Sequence, residues 1–227
     1  MLGPNWARGL RGAWGRRARA MSAFLRPPRG EPRCEVSDLP REVAAAMRGV
    51  SWRDDPRCPQ LSALAYLRLS HVGFDGAPAL GELIVARPVV SATRALFGRL
   101  WHLGFPVRSL RLIDAHGGSD DASMAADNSS AFNFRTIAGT DLLSQHALGY
   151  AIDINPVENP WLARKSVAPP AGAAFLDRQR VRPGMIVRPG PVTAALDELG
   201  WEWGGDWPVP DYHHLVWRPS AGTARRP

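Results

Sequence analysis

Hydrophobic and polar positions alternate between Leu61 and Ser70, and this period of two predicts a β-strand. The turn signal Phe74-Asp75-Gly76 follows, and the run Gly81–Val85 predicts a second strand, so the two strands are expected to form a hairpin. Apolar residues then recur at helical spacing from Val89 to Leu103, and Gly104 is a typical residue to end a helix. This part of the chain is therefore predicted to contain a hairpin followed by a helix.

Shorter patterns of the same kinds predict two more helices, at Ser37–Met47 and Pro191–Leu199. They also predict three more strands, at Ser109–Ala115, Gly149–Asn155 and Tyr212–Trp217. Residues 116–139 lack periodicity and predict a long loop, of a length that is usually functional or disordered. Residues 156–189 are expected to be irregular. The interpretation is an α+β domain over residues 36–218, with a small antiparallel sheet flanked by helices.

The two ends of the chain differ from this domain. Residues 1–35 are rich in Arg, Gly and Pro and predict a flexible basic leader, while residues 219–227 are interpreted as a C-terminal tail. The leader has no apolar stretch of the ~7–15 residues that a secretory signal requires, and Met21 is an alternative start. No apolar run approaches the ~20 residues that span a bilayer, so no transmembrane segment is predicted.

The composition is basic, with 28 Lys+Arg against 21 Asp+Glu and a formal net charge of +7. This charge suits an anionic partner such as nucleic acid, an acidic membrane surface or a cell-wall polymer, and a GC-rich coding bias explains it equally well. A nucleic-acid partner is not predicted, because no motif supports one. The two cysteines, Cys34 and Cys58, are interpreted as one disulfide formed in an oxidising compartment rather than as two unrelated thiols.

Two segments carry candidate chemistry. In the first, His146 and Asp153 are joined through the small residues Gly149 and Ala151. On a strand, Ala151 and Asp153 share one face while the neighbouring isoleucines face the core. A carboxylate with so little bulk around it suits a metal ligand at the floor of a cleft. The same pair could instead make a structural polar contact or cap a helix.

The second segment contains Asp211, His213 and His214. A catalytic zinc ion takes three protein ligands and keeps one position open, and a further carboxylate can take a proton from water. Adjacent residues of a strand point to opposite faces, so at most one of the two histidines is expected to reach a metal that His146 and Asp153 bind. The spacing does not decide which one.

Several ordered motifs resemble the M15 family of D-Ala-D-Ala carboxypeptidases and related peptidoglycan peptidases. They are Ser144-x-His146-x-x-Gly149-x-Ala151-x-Asp153, Trp203-Gly-Gly-Asp206-Trp207 and Asp211-x-x-His214. The likeness runs from about Leu61 to Trp217 and includes Phe74-Asp75-Gly76, Gly81-Glu82 and Asn128-Ser-Ser-Ala-Phe-Asn-Phe-Arg135. The branch with L-alanyl-D-glutamate endopeptidases of phage and bacterial lysins is the most similar. The resemblance implies the fold that Hedgehog proteins share with these peptidases.

The resemblance also implies roles for individual residues. His146, Asp153 and His214 would bind one zinc ion per chain, and Asp211 would be the catalytic base. Arg135 would bind substrate and stabilise the developing oxyanion, unless it is an arginine that pins a loop. Ser144 would contact substrate or orient His146.

The sequence departs from the family pattern at two positions, of which the first bears on the subtype of peptidase and the second on the rigidity of the loop before Arg135. Some members carry Glu at the position of Asp211, and Phe134 stands where many have Cys or Tyr. The predicted activity is hydrolysis of peptidoglycan stem peptides by an L-Ala-D-Glu-type endopeptidase. The alternatives are a D-Ala-D-Ala carboxypeptidase and a non-catalytic, zinc-containing wall-binding module. The protein is expected to be a monomer that acts outside the cytoplasm or at the cell wall.

Overall fold

Two three-stranded antiparallel sheets form the framework of the computed structural model. The structure describes residue 25 and residues 27–137, 139–163 and 166–218. The first sheet has the order β1 (Cys34–Ser37), β2 (Leu64–Val72), β3 (Pro78–Ala86). The predicted hairpin is confirmed, and Gly76 adopts a φ of 80° in its turn. The first strand of the hairpin begins later than predicted, because Leu61–Ala63 forms a 3-10 turn.

Both faces of β2 are covered, which the alternating pattern did not predict. Leu67 and Leu69 face the main core, whereas Leu64 and Tyr66 pack on the opposite side. That second side lies beneath helix α1 (Arg41–Met47), which contributes Met47 to the same small core. The helix predicted at Ser37–Met47 is therefore shorter than expected. Ser37 is the last residue of β1, and Pro40 occupies the N-cap position of the helix.

The long central helix is confirmed as α2 (Val90–Leu103), preceded by a 3-10 turn at Arg87–Val89. Gly104 ends it in the left-handed conformation with φ 66°, which glycine adopts without a steric cost.

The segment between α2 and the second sheet contains more regular structure than predicted. The strand expected at Ser109–Ala115 is reduced to β4 (Ser109–Leu110), and Ile113–His116 forms a 3-10 turn. The expected long loop contains α3 (Asp120–Ala125), whose N-cap Ser119 accepts a hydrogen bond from Ala122 N at 3.2 Å. Strand β5 (Asn128–Ser129) then pairs in parallel with β4.

The second sheet has the order β6, β10, β9, and its strands are short: β6 is Ala151–Asp153, β9 is Trp201–Trp203 and β10 is His214–Trp217. Helix α4 (Pro191–Leu199) precedes β9 as predicted and ends at Gly200, with φ 75°. The region expected to be irregular contains a small hairpin, β7 (Trp161–Ala163) and β8 (Ser166–Ala168), and a 3-10 segment at Pro170–Phe175.

One core joins the two sheets through α2 and α4. Its fully buried members include Leu67 and Val85 from the first sheet, Leu96 from α2, and Ile152 and Leu215 from the second. The α+β class is confirmed. Because the second sheet is anchored on this core, the residues at the ends of β6 and β10 are held in fixed relative positions.

Several predictions concern the ends of the chain and the cysteines. Strand β1 begins inside the segment predicted as leader, while residues 1–24, residue 26 and residues 219–227 lie outside the described ranges. Cys34 and Cys58 are both free, so the predicted disulfide is wrong: Cys34 lies opposite Leu69 in the sheet and Cys58 packs in the small core. Within the described ranges, no helix is both long and apolar enough to cross a bilayer.

Candidate metal centre

Three side chains converge where β6 and β10 pair. The register places His214 directly opposite Asp153, so their side chains share one face of the sheet. His146 completes the group, with its Nε2 3.0 Å from His214 Nδ1 and 3.1 Å from Asp153 Oδ2. Asp153 Oδ1 lies 2.9 Å from His214 Nδ1, and one ligand atom of each residue lies within 4.8 Å of the others. The structure thus brings together the three predicted ligands.

Glycine geometry places His146 next to this sheet. His146 begins a 3-10 turn that Gly149 ends with φ 75°, and the chain then enters β6 at Ala151. A β-carbon at residue 149 would lie 2.6 Å from Ala86 N, which in the structure donates a hydrogen bond to Gly149 O at 3.0 Å. The absence of a side chain at Gly149 therefore allows the end of β3 to approach closely.

A neighbouring segment fixes the orientation of the His146 ring. Residue Ser130 pairs with Asp153 along the free edge of β6, and the next carbonyl, Ala131 O, lies 2.6 Å from His146 Nδ1. A carbonyl only accepts, so Nδ1 carries a proton, and Nε2 is the ring nitrogen that faces Asp153 and His214. Ser144 is buried, and its Oγ accepts a hydrogen bond from His146 N at 3.2 Å. It supports the backbone of His146 rather than the ring.

The electrostatics of the group suit a cation. Burial alone raises the pKa of Asp153, but the His146 and His213 rings beside it outweigh burial and hold that pKa well below its ordinary value. The three residues are no more than 9% exposed. Lone pairs that converge in a buried space repel one another unless a proton or a metal ion lies between them. The donor set therefore fits zinc, whose tetrahedral ligands stand about 3.3 Å apart at bond lengths near 2.0 Å.

Asp211 lies beside the group, in the turn that leads into β10. Its backbone N donates to Gly204 O at 2.9 Å, and its carbonyl accepts from His214 N at 3.2 Å. A β-carbon on residue 204 would lie 2.5 Å from Asp211 O, so this close approach requires glycine. The Asp211 side chain keeps 18% of its surface exposed. A carboxylate that is mostly buried and still reaches solvent can accept a proton from a water molecule.

Strand alternation predicted that only one of His213 and His214 reaches the metal, and the structure corrects the reason for that expectation. Residue 213 lies in a turn before β10, so strand alternation does not apply to it. Its Nε2 is 3.0 Å from Asp211 Oδ1 and 3.9 Å from Asp153 Oδ1. Burial lowers the pKa of His213, but the two carboxylates outweigh this effect and raise the pKa to about 9. His214, not His213, contributes a ring nitrogen to the three-residue group.

Arg135 lies on the segment that borders His146. Its carbonyl accepts from Ser144 N at 3.1 Å, and its guanidinium forms an ion pair with Asp120 at the start of α3. Asn133, which directly precedes Phe134, donates from its Nδ2 to Asp120 Oδ1 at 3.0 Å and to Gly118 O. Sequence reasoning missed Asp120, because it lies in the stretch predicted to be an unstructured loop.

The tryptophans next to the second sheet lie in the core or against the three-residue group. Trp201 and Trp203 are buried, and the Trp207 ring lies 5.4 Å from the His214 ring while its Nε1 donates to Glu202. Asp206, from the Trp203-Gly-Gly-Asp206-Trp207 motif, forms an ion pair with Arg188.

Comparison with known proteins finds a family match that covers the region of this site. The family model of D-alanyl-D-alanine carboxypeptidase, in the M15 peptidase group, matches residues 138–217. This range contains all three residues of the group and Asp211, and it confirms the resemblance inferred from the motifs. No curated protein and no solved structure matches the chain.

Proposed function

We propose that this chain is a zinc-dependent peptidase that hydrolyses peptide bonds in the stem peptides of peptidoglycan. The observation that carries the proposal is the convergence of His146, Asp153 and His214 on one point, with Asp211 next to them. The family match over residues 138–217 supports peptide hydrolysis. We also propose that the chain has the fold that Hedgehog proteins share with D-Ala-D-Ala peptidases. Its site of action would be outside the cytoplasm, where this substrate lies.

The three residues would hold one zinc ion per chain. Zinc bound by three protein ligands polarises a carbonyl and lowers the pKa of water towards ~7. The chain orients its own ligands for this purpose: Ala131 O sets the tautomer of His146, and the register of β6 and β10 sets the distance between Asp153 and His214.

The remaining residues would handle the proton and the negative charge. Asp211 accepts a proton from the attacking water and returns it to the leaving amine nitrogen, which balances the hydrolysis. Arg135 would bind the substrate and stabilise the oxyanion of the tetrahedral intermediate. In the structure its guanidinium forms an ion pair with Asp120, while its backbone carbonyl bonds the His146 segment through Ser144 N. Ser144 would act indirectly, through its hydrogen bond to the backbone of His146.

The proposed cleavage lies inside the stem, at an L-Ala-D-Glu-type bond, because Asp rather than Glu stands at position 211. The second candidate is removal of the terminal D-Ala, which the match to the D-alanyl-D-alanine carboxypeptidase family favours. Both reactions use the same ligands and base, so only the product distinguishes them.

Digestion of defined substrates tests the proposal. Zinc-loaded protein is incubated with a synthetic stem pentapeptide ending in D-Ala-D-Ala and with purified muropeptides, and mass spectrometry identifies the products. Loss of L-Ala from the rest of the stem indicates the endopeptidase, whereas loss of a single D-Ala indicates the carboxypeptidase. The matched control is Asp211→Asn, which keeps the shape of the side chain. If the zinc-loaded protein cleaves no substrate, or the variant is fully active, the peptidase proposal is wrong and a wall-binding module is the better account.

A further inference from the structure

A chain of buried residues, Asn159 and His213, connects the protein core to Asp211. His213 is 4% exposed, and its Nδ1 donates to Asn159 O at 2.9 Å. Its other ring nitrogen, Nε2, lies 3.0 Å from Asp211 Oδ1. Because a carbonyl holds one side of the ring, the opposite side is directed at the Asp211 carboxylate and cannot rotate away without losing that bond.

Asn159 is itself fixed, so it can support the ring. It is completely buried, and its Nδ2 donates to Gly184 O at 2.8 Å and to Ile154 O at 3.1 Å. Its Oδ1 accepts from Ile186 N at 2.7 Å and from Arg178 Nη2 at 2.9 Å. Every polar atom of the Asn159 side chain is therefore engaged, and the carbonyl that holds His213 has little freedom to move.

Arg178 also contacts Tyr212, the residue that precedes His213. Its guanidinium lies over the Tyr212 ring at 4.4 Å and also donates to Glu158 O at 2.7 Å. The backbone on both sides of His213 is thus held, by stacking on one side and by β10 on the other.

The side chain of Asp211 has no comparable support of its own. Its backbone is fixed by Gly204 and His214, but Oδ1 is buried and lacks a well-directed hydrogen bond among the described residues. The polar atom that faces Oδ1 is His213 Nε2, which also stands 3.9 Å from Asp153. At this distance the ring attracts Oδ1 as an ion pair, whereas Oδ2 makes no hydrogen bond among the described residues.

We propose that His213 is a positioning residue: it holds Asp211 by Oδ1 so that Oδ2 is aimed at the water that loses its proton. The inference rests on the proposed function, because it assigns His213 to the base of that reaction. It does not make His213 a metal ligand or a proton carrier. A misplacement of a catalytic group by about 1 Å lowers the rate by about 100-fold, so even a modest contact is sufficient for this role.

Two substitutions separate the two sides of the ring. His213→Asn keeps an amide near the position of Nδ1, where it can donate to Asn159 O, but removes the atom that faces Asp211. His213→Gln does the reverse, since its longer amide reaches the position of Nε2. On a synthetic stem pentapeptide, we expect His213→Asn to lower kcat by about 10- to 100-fold with KM unchanged, and His213→Gln to restore kcat to within about 3-fold of the original.

The background of Asp211→Asn shows whether His213 acts through the base. If it does, adding His213→Asn to Asp211→Asn lowers kcat by less than about 2-fold, because the two changes remove the same interaction. Zinc affinity, measured without substrate by competition with a chromophoric chelator, should stay within about 3-fold in both His213 variants. Thermal unfolding of each variant checks that it is folded.

The outcomes distinguish the two proposals. If Asp211→Asn keeps full activity, the proposed base is wrong, and with it the proposed function. If Asp211→Asn is inactive but His213→Asn is fully active, the base stands and the positioning role is wrong. A loss of zinc affinity in His213→Asn that matches its loss of kcat would also overturn the positioning role, because His213 would then act on Asp153. If His213→Asn does not fold, failure of His213→Gln to stay within about 3-fold of the original kcat decides against the proposal.

Discussion

The protein contains two clusters of polar side chains, one around Asp153 at the end of β6 and one around Glu158 shortly after it in sequence. They differ in the group that balances the negative charge of the carboxylates. In the first, Asp153 faces His146 and His214, which point lone pairs at the same space. In the second, Asp127 and Glu158 share Arg108, whose guanidinium nitrogens lie 3.4 Å from each carboxylate. The second cluster contains the permanent cation of an arginine, whereas the first has only histidine rings, whose charge depends on a proton that a metal ion can replace.

The difference is visible in the acid strengths of the carboxyl groups. Burial, followed by the neighbouring Asp127, raises the pKa of Glu158 to about 8, whereas the pKa of Asp153 lies well below its ordinary value. Two buried acids with opposite shifts show that residue type alone does not identify a metal site. The arrangement of donors around each acid does.

The largest effect should come from removing the carboxylate of the first cluster. Asp153→Asn keeps the volume but leaves a neutral amide between the two histidines, so zinc affinity is expected to fall by more than about 100-fold, together with peptidase activity. Asp127→Asn is the matched control, because it makes the same change in the other cluster. Metal analysis after dialysis, with circular dichroism to confirm folding, should show about one zinc per chain in the control and none in Asp153→Asn. Equal zinc content in both would contradict the assignment.

The next effect concerns the base and leaves the metal in place. We expect Asp211→Asn to lower kcat by about 100- to 10,000-fold, since the amide cannot accept the proton, while the zinc content is unchanged. Asp206→Asn is the control, because Asp206 lies near the same site but is paired with Arg188. Steady-state kinetics on the stem pentapeptide measures both. A comparable loss in Asp206→Asn would show that charge near the cleft, rather than proton transfer, is responsible.

A smaller effect is expected when the second cluster loses its cation. Arg108→Met retains an apolar chain against the Phe74 ring, over which the guanidinium lies at 3.6 Å. Asp127 and Glu158 then lack their counter-charge. The expected decrease in the free energy of unfolding is about 1–3 kcal/mol at pH 8, less than for a fully buried pair because Arg108 is 46% exposed. Urea denaturation measures the change. Zinc affinity should not alter, and an altered affinity would mean that the clusters are coupled.

The smallest effect is a change in pH dependence. Between the ordinary Glu pKa of 4.5 and the value of about 8, folded protein keeps a proton on Glu158 that the unfolded chain has released. Stability from this group is therefore complete below pH 4.5 and is lost as the pH rises towards 8, by about 1 kcal/mol per pH unit. Glu158→Gln should remove this part of the slope in denaturation experiments at pH 6, 7 and 8. An unchanged slope would show that Glu158 is already ionised in the folded protein.

The sequence predicts best where one local rule determines the structure. Helix α2 has continuous helical periodicity and a glycine stop, and both of its ends are found close to the predicted positions. Helix α3 has only six residues and no apolar stripe, so its local signals were limited to the capping residue Ser119 and the two acidic residues of its first turn. The strand expected after Ser109 is reduced to two residues, because the chain enters a 3-10 turn at Ile113.

The same limit applies to the site. The spacing of His146 and Asp153 suggested a metal, but strand alternation left the choice between His213 and His214 open, and residue 213 lies outside the strand. Only the resemblance to the M15 family selected His214. Asn159 and Asp120 support the site through contacts between segments that are distant in sequence. No local pattern could have identified them.

X-ray absorption spectroscopy on the zinc-loaded full chain tests the central claim most directly. The account predicts a first shell of nitrogen and oxygen only, at about 2.0–2.1 Å, with the outer-shell scattering of two imidazole rings. Asp153→Asn, prepared in the same way, should give no protein-bound zinc spectrum. A sulfur shell at about 2.3 Å, or bound zinc without imidazole scattering, would contradict a site built from His146, Asp153 and His214.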